Sequence, residues 1–175
     1  VDAVAELAPA RPDLHLVLLG PVTVEGYQER LRARIDEHGL GSRVTLVPGL
    51  QSNDPLLAGA FHAADIFCLP SLHEPFGIVI LEAWAAGLPV VASRIGGIPS
   101  FTEDNVDILL AEPNDPASLA RQVARLLDDR ELAHRIADMG QRKAAKQYDW
   151  GVIGGRLIGL YQDILADHRA RHIHA

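Results

Sequence analysis

Residues 69–93 read LPSLHEPFGIVILEAWAAGLPVVAS, and the rest of the chain is organised around this stretch. Leu69 closes an apolar run that begins at Ala64 and is broken only by Asp65. Pro70, Ser71 and Pro75 then forbid a regular element, whereas Gly77 to Ala86 is almost wholly apolar and rich in helix formers. Gly87 and Pro89 stop that helix. Leu88 to Ala92 is too short for a helix and β-branched at Val90 and Val91, so it reads as a strand. The predicted order is strand, loop, helix, strand.

Glu82 is the one polar side chain between Gly77 and Ala86. A carboxylate among apolar neighbours is costly unless paired or exposed, so its plainest reading is the solvent edge of the helix. Glu74, in the preceding loop, supplies a second carboxylate. The spacing places one acid just outside the helix N-terminus and the other about two turns in. Between them lie the first-turn amides of Phe76, Gly77 and Ile78, which lack helical acceptors. Pro75, with no N–H, suits the first helical position, and Gly77 permits close approach of a ligand to the backbone. Free amides and the helix dipole make an anion site, typically for phosphate. The stretch thus offers a phosphate cradle flanked by two hydroxyl-binding carboxylates, which suits a sugar nucleotide.

EPFGIVILE, residues 74–82, resembles the E-x7-E motif of retaining glycosyltransferases of GT-B architecture, family 4 in particular. The likeness extends over AADIFCLPSLHEPFGIVILEAWAAGLPVVASRIGGIP, residues 63–99. It continues through Glu112-Pro113 with a helix from Asp115, and Tyr148-Asp149-Trp150 before the last helix. The resemblance implies that Glu74 binds donor-sugar hydroxyls near the reacting carbon and that Glu82 binds the ribose. It implies a nucleotide-diphosphate sugar as donor substrate, no cofactor, and hexosyl transfer to a sugar, lipid or small-molecule acceptor. The resemblance further implies that anomeric configuration is retained by front-face attack, the leaving diphosphate helping to deprotonate the acceptor, so that neither glutamate is the nucleophile. It also implies that residues 1–175 correspond to the C-terminal nucleotide-sugar-binding domain, one half of a GT-B fold. The first strand and the N-terminal acceptor domain are then expected upstream of Val1, with the Lys or Arg pair that the family places on the diphosphate. Without them this chain alone is expected to be inactive. The family's common glutamate after Gly-Gly-Ile-Pro is Ser100 here, and no Asp-x-Asp motif occurs, in keeping with a metal-independent enzyme.

Bulk properties agree with a single soluble domain: 175 residues, 48% hydrophobic and 22% charged. A net charge of −7 argues against nucleic acid and anionic membranes as non-specific partners. The lone cysteine, Cys68, excludes an internal disulfide and reads as a buried thiol. No apolar run is long enough to span a membrane and no signal peptide is visible, which points to the cytoplasm, or to a peripheral membrane location for a longer parent protein.

Strands are expected at 14–19, 44–47, 65–69, 88–92 and 107–111. Helices are expected at 1–9, 25–38, 56–63, 77–86, from Asp115 or Ser118 to about 127, at 131–146 and at 150–166, with a helix or turn after Pro99. The alternation predicts an α/β fold: a three-layer Rossmann-like domain with a mostly parallel sheet covered on both faces. Ligands of such sheets bind beyond the strand carboxyl ends. The loops there contain Gly20, Gly49, Leu50, the Glu74 motif and Gly97. Donor-binding candidates are therefore Phe76, Gly77, Ile78, Val79 and Glu82, with Gly20, Gly49, Leu50 and Gly97 beside them, although glycine in such loops is commonly turn chemistry. Glu74 is the catalytic candidate and no metal ligand is assigned. His73 reads as an exposed loop residue and Trp84 as core. The tail HRARHIHA, with His168, His172 and His174, reads as a solvated end. Other readings are a catalytically silent Rossmann-like binding or interaction module, a sugar-nucleotide epimerase, and a nicotinamide-dependent dehydrogenase. The last lacks a Gly-x-Gly-x-x-Gly turn.

Overall fold

A computed structural model describes residues 1–50 and 54–172 of the chain. Part of the expected polar loop after Gly49, and His174, lie outside the described residues. The elements are α1 (Asp2–Leu7), β1 (Leu16–Gly20), α2 (Tyr27–Glu37), β2 (Val44–Pro48), α3 (Pro55–Ala63), β3 (Phe67–Leu69) and α4 (Ile78–Ala85). They continue with β4 (Val90–Ser93), α5 (Ile98–Phe101), β5 (Leu109–Ala111), α6 (Pro116–Asp128), α7 (Arg130–Lys143), a π-helical turn (Ala144–Tyr148) and α8 (Trp150–His172). The strand–helix alternation read from the sequence is present throughout. Three helices begin at aspartates whose carboxylates accept first-turn amides: Asp54 from Leu56 at 2.9 Å, Asp115 from Ser118 at 2.8 Å and Asp129 from Leu132 at 2.9 Å.

All strand pairings are parallel, but the expected five-stranded sheet is found as two ladders. One is β1–β2, with Leu16 opposite Val44 and Gly20 opposite Pro48. The other is β3–β4–β5, in which Val91 lies between Cys68 and Leu109. Apolar periodicity marks a strand but not its neighbour, and β1 and β3 do not pair with each other. α1 links the two ladders by side chains instead. It packs on α6; its Asp2 holds Arg34 of α2 at 2.7 Å; and Arg11, just beyond it, holds Asp128 at 2.7 Å. Arg43, ahead of β2, donates to the carbonyls of Ala8 and Arg11.

The core sits on the three-stranded ladder. β4 alternates between its two faces: Val90 and Ala92 pack with Ile80 and Trp84 of α4, whereas Val91 packs with Leu126 of α6 and Ile136 of α7. β4 and the buried side of α4 are thus enclosed, and α4 is held immediately beside the strand ends that carry the motif loops. The β1–β2 ladder is thinly covered, with Val17 51% exposed.

Several boundaries differ from expectation. β5 begins at Leu109, because Asp107 turns its carboxylate away to the Glu103 amide and to Lys143. α7 ends at Lys143, and the wider π turn that follows places the Tyr148 ring 6.1 Å from that of Phe101. α8 extends to His172 rather than to 166, so the expected solvated tail is helical through His168 and His172; no Gly or Pro after Gly159 stops it. No described helix is long and apolar enough to cross a membrane.

Candidate donor site

The site is built on the entry to α4. The helix starts at Ile78, one residue later than expected, so Pro75 is a loop residue and not its first position. Gly77 caps the helix in the left-handed conformation, with φ 95° and ψ 51°. The positive φ favours glycine, and a Cβ there would also press on Ile80 Cδ1 at 3.1 Å. The amide of Phe76 turns toward Glu74 Oε1 at 3.4 Å, and the amide of Ile80 closes on the Gly77 carbonyl at 2.9 Å. Those of Gly77, Ile78 and Val79 have no acceptor among the described residues. The cradle read from the sequence as Phe76 to Ile78 is therefore shifted by one residue, to Gly77–Val79. Its geometry, three free amides at the positive end of an eight-residue helix, suits an anion.

The loop that carries Glu74 is docked on the glycine-rich loop after β4. The Gly97 amide donates to the Glu74 carbonyl at 3.0 Å. A Cβ on Gly96 would lie 1.9 Å from that same oxygen, and one on Gly97 would lie 2.1 Å from the Pro75 carbonyl. Gly97 thus holds the motif loop, and its own amide is already used. Phe76 stacks on Phe101 with ring centroids 4.6 Å apart, and Tyr148 stands 6.3 Å from Phe76. Aromatic packing of this kind fixes the loop from the other side.

Glu82 is exposed, just over one turn into α4 rather than two, because the helix starts late. With Ala85 and Ala86, at i+3 and i+4, it forms one wall of a groove of about 490 Å³ between α3 and α4. Leu57, Ala58, Phe61 and His62 of α3 form the other wall, and Asp54 stands at its end. Glu74 and the α4 amides do not line this groove. One acid therefore stands at the helix mouth and the other on its groove face.

The remaining candidates are less closely joined to this centre. Gly20, Gly49 and Leu50 follow the β1–β2 ladder, where a Cβ on Gly49 would lie 2.8 Å from Pro21 N, so glycine lets these two loops touch. No described contact ties them to the Glu74 loop. His73 is exposed, and Trp84 is fully buried, as expected. Cys68 is half-buried, and desolvation of its thiol pushes its pKa up to about 12. The α3 wall was not singled out in the sequence. Its signal is an apolar helix, PLLAGAFHA, none of whose residues is buried in the fold.

The comparisons with known proteins extend this picture. The family described as Glycosyl transferases group 1 matches residues 1–143. Among relatives, a D-inositol 3-phosphate glycosyltransferase of Corynebacterium glutamicum is 31% identical over 170 residues, covering 95% of this chain and 40% of the relative. An MMP alpha-(1->4)-mannosyltransferase of Mycolicibacterium hassiacum is 33% identical over 167 residues, covering 95% and 39%. Among solved structures, Anabaena HepE in complex with UDP-glucose superposes with a TM-score of 0.81 at 28% identity, covering 93% of this chain and 43% of that one. Sucrose-phosphate synthase from Thermosynechococcus elongatus gives 0.80 at 29% identity, covering 95% and 42%. The chain thus spans about two fifths of the length of these proteins. With the parallel α/β fold, the left-handed glycine at the helix mouth and a family match over most of its length, the chain belongs to the group 1 glycosyl transferases.

Proposed function

We propose that this chain is the donor-binding domain of a retaining, metal-independent glycosyltransferase that uses a nucleotide-diphosphate sugar. The observation that carries the reading is the pairing of the free Gly77–Val79 amides with Glu74 at the helix mouth and Glu82 on the adjoining groove. The diphosphate would lie on the amides. Glu82 would take the ribose hydroxyls, with the base along the α3 wall, and Glu74 would take hydroxyls of the sugar. As the sugar–phosphate bond breaks, charge grows on the leaving diphosphate. Fixed amide dipoles stabilise that charge without reorganising, so the amide cradle can do part of the work a divalent cation does elsewhere. The UDP-glucose complex of the Anabaena protein supports a nucleotide sugar as ligand. The acceptor, a sugar, lipid or small molecule, would be held by a further domain of a longer protein.

Calorimetry with UDP, GDP and ADP, each alone and as its glucose or mannose conjugate, tests the reading. One nucleotide family should bind this chain, with affinity unaffected by EDTA, and the chain alone should turn over no acceptor. Binding of none of the six, or binding that needs a divalent cation, would reject it. The silent binding-module alternative predicts that Glu74 contributes nothing even to binding of the sugar conjugate.

A further inference from the structure

We propose that Lys143 and Asp107 are positioning residues for the donor site. Their ion pair holds Trp84 and, through it, sets the rotation of α4 that presents Glu82 to the groove. The inference rests on the reading of Glu82 given above. Asp107 is buried, its side chain 5% exposed, and its Oδ2 lies 2.5 Å from Lys143 Nζ. Its Oδ1 accepts the Glu103 amide at 2.8 Å, and its carbonyl accepts the Trp84 indole N–H at 3.0 Å. The same Lys143 ammonium stands 5.6 Å from the centre of the Trp84 ring. Trp84 is therefore gripped at its edge by the Asp107 carbonyl and over its ring by the cation. The α7 backbone closes the arrangement, since a Cβ on Gly140 would lie 2.3 Å from Trp84 Cδ1.

Trp84 and Glu82 are two residues apart on one helix, so about 200° of rotation separates their faces. A rotation of α4 about its axis carries the indole and Glu82 through the same angle, so a socket that fixes the indole resists that rotation. The other buried residues on α4, Ile80 and Ala83, make non-directional apolar contacts that permit small rotations. The indole hydrogen bond and the cation over the ring are directional. A buried ion pair adds little net stability because its desolvation offsets its attraction, and its better-attested service is to specify one arrangement. Asp107 and Lys143 are separated by 36 residues, and neither lines the groove; Trp84 is the α4 side chain they touch, while Gln141 of α7 separately donates to the Ala85 carbonyl of α4 at 3.3 Å.

The test uses Lys143→Met/Asp107→Asn, which replaces the ion pair by neutral groups of similar size, in a Trp150→Phe background that leaves Trp84 as the only indole. Melting temperature, UDP affinity and acrylamide quenching of Trp84 are measured together. We expect a melting temperature close to the parent's, steeper quenching of Trp84, and UDP binding weakened about tenfold, as befits a site whose support has loosened. Unchanged affinity, with or without steeper quenching, would reduce the pair to a structural role and overturn the proposal. Weaker affinity with unchanged quenching would overturn the route through Trp84. Should the double variant not fold, Asp107→Asn alone serves, with smaller shifts in the same directions expected and none overturning the proposal. If the parent binds no UDP, the affinity arm is run with whichever of GDP and ADP it binds; binding of none of the three fells the donor-site reading and the proposal with it, while quenching still reports whether the pair holds Trp84.

Discussion

Glu74 and Glu82 are held in different ways, and this separates their consequences. Glu74 sits on a loop whose two carbonyls rest against Gly96 and Gly97, and its carboxylate faces the first amide of its own turn. Glu82 rises from a rigid helix onto a groove with a mainly apolar opposite wall. A ligand lacking the sugar should therefore register the loss of Glu82 and be indifferent to Glu74. Removing a carboxylate that accepts hydroxyl bonds costs about 1–3 kcal/mol. Glu82→Ala should accordingly weaken nucleoside diphosphate binding by at least about fivefold. Glu74→Ala should leave that binding alone and weaken only the sugar conjugate. Calorimetry of each variant with the diphosphate and with its sugar conjugate distinguishes them, and equal losses on the plain diphosphate would count against the assignment.

At the level of elements, α1 is short: it buries Ala3 against the fold and adds an electrostatic anchor to its packing on α6. Asp2 lies 2.7 Å from Arg34 Nε and 3.0 Å from His38 Nε2, both contributed by or adjoining α2. The hydrogen bond from Arg34 is the largest influence on the Asp2 carboxyl and holds its pKa below the ordinary 3.8, against an opposing effect of desolvation. A depressed carboxylate pKa contributes stability that is complete above its unfolded value and is lost as the pH falls through the folded one. Asp2→Asn should therefore lower the melting temperature slightly at neutral pH. The gap between variant and parent should close only at pH values below 3.8. Melting curves across the acid range check this; a gap that persists there would assign the effect to packing. The side chains involved are partly exposed, so the shift should also shrink in high salt.

On the scale of the whole molecule, the division of the strands into two ladders is the main departure from a closed α/β sheet. Among the described residues, β1 pairs only with β2 and β3 only with β4, whereas β4 pairs on both sides. In a parallel strand alternate residues turn their N–H groups to opposite neighbours. About half the amides of β1 and β3 therefore face an unpaired edge. Hydrogen exchange on this chain should show alternating fast and slow amides along β1 and β3, and uniformly slow amides on β4. Uniform protection across all three strands would mean that the edges are covered in solution. The enclosed β4–α4 unit carries the proposed site, so on that reading binding should survive loosening of the β1–β2 ladder better than loosening of α6 or α7.

The site was legible because its signals are local. A helix entry after Pro75, a glycine at its mouth and two glutamates at a fixed spacing are set by neighbouring residues, and local sterics and helix periodicity translate them directly into geometry. The strand–helix alternation was legible for the same reason, as was a cap at Asp115 or Ser118; the structure gives it to Asp115, whose side chain reaches an amide three residues away. What only the tertiary structure decided involves partners far apart in the chain. Gly97 supports the Pro75 loop because the two loops meet in space. Phe61 and His62 face Glu82 because α3 packs beside α4. Asp107 leaves its expected strand because Lys143, 36 residues away, draws its carboxylate. The split into two ladders is of the same kind. Apolar alternation states that a strand will be buried, but which edge finds a partner depends on which strands arrive beside it. By itself the sequence determined the fold class and the residues of the helix mouth, since both are written within a few turns of chain. The groove, the loop platform and the ion pair behind Trp84 were decided by packing, because contacts between distant residues leave no periodic trace.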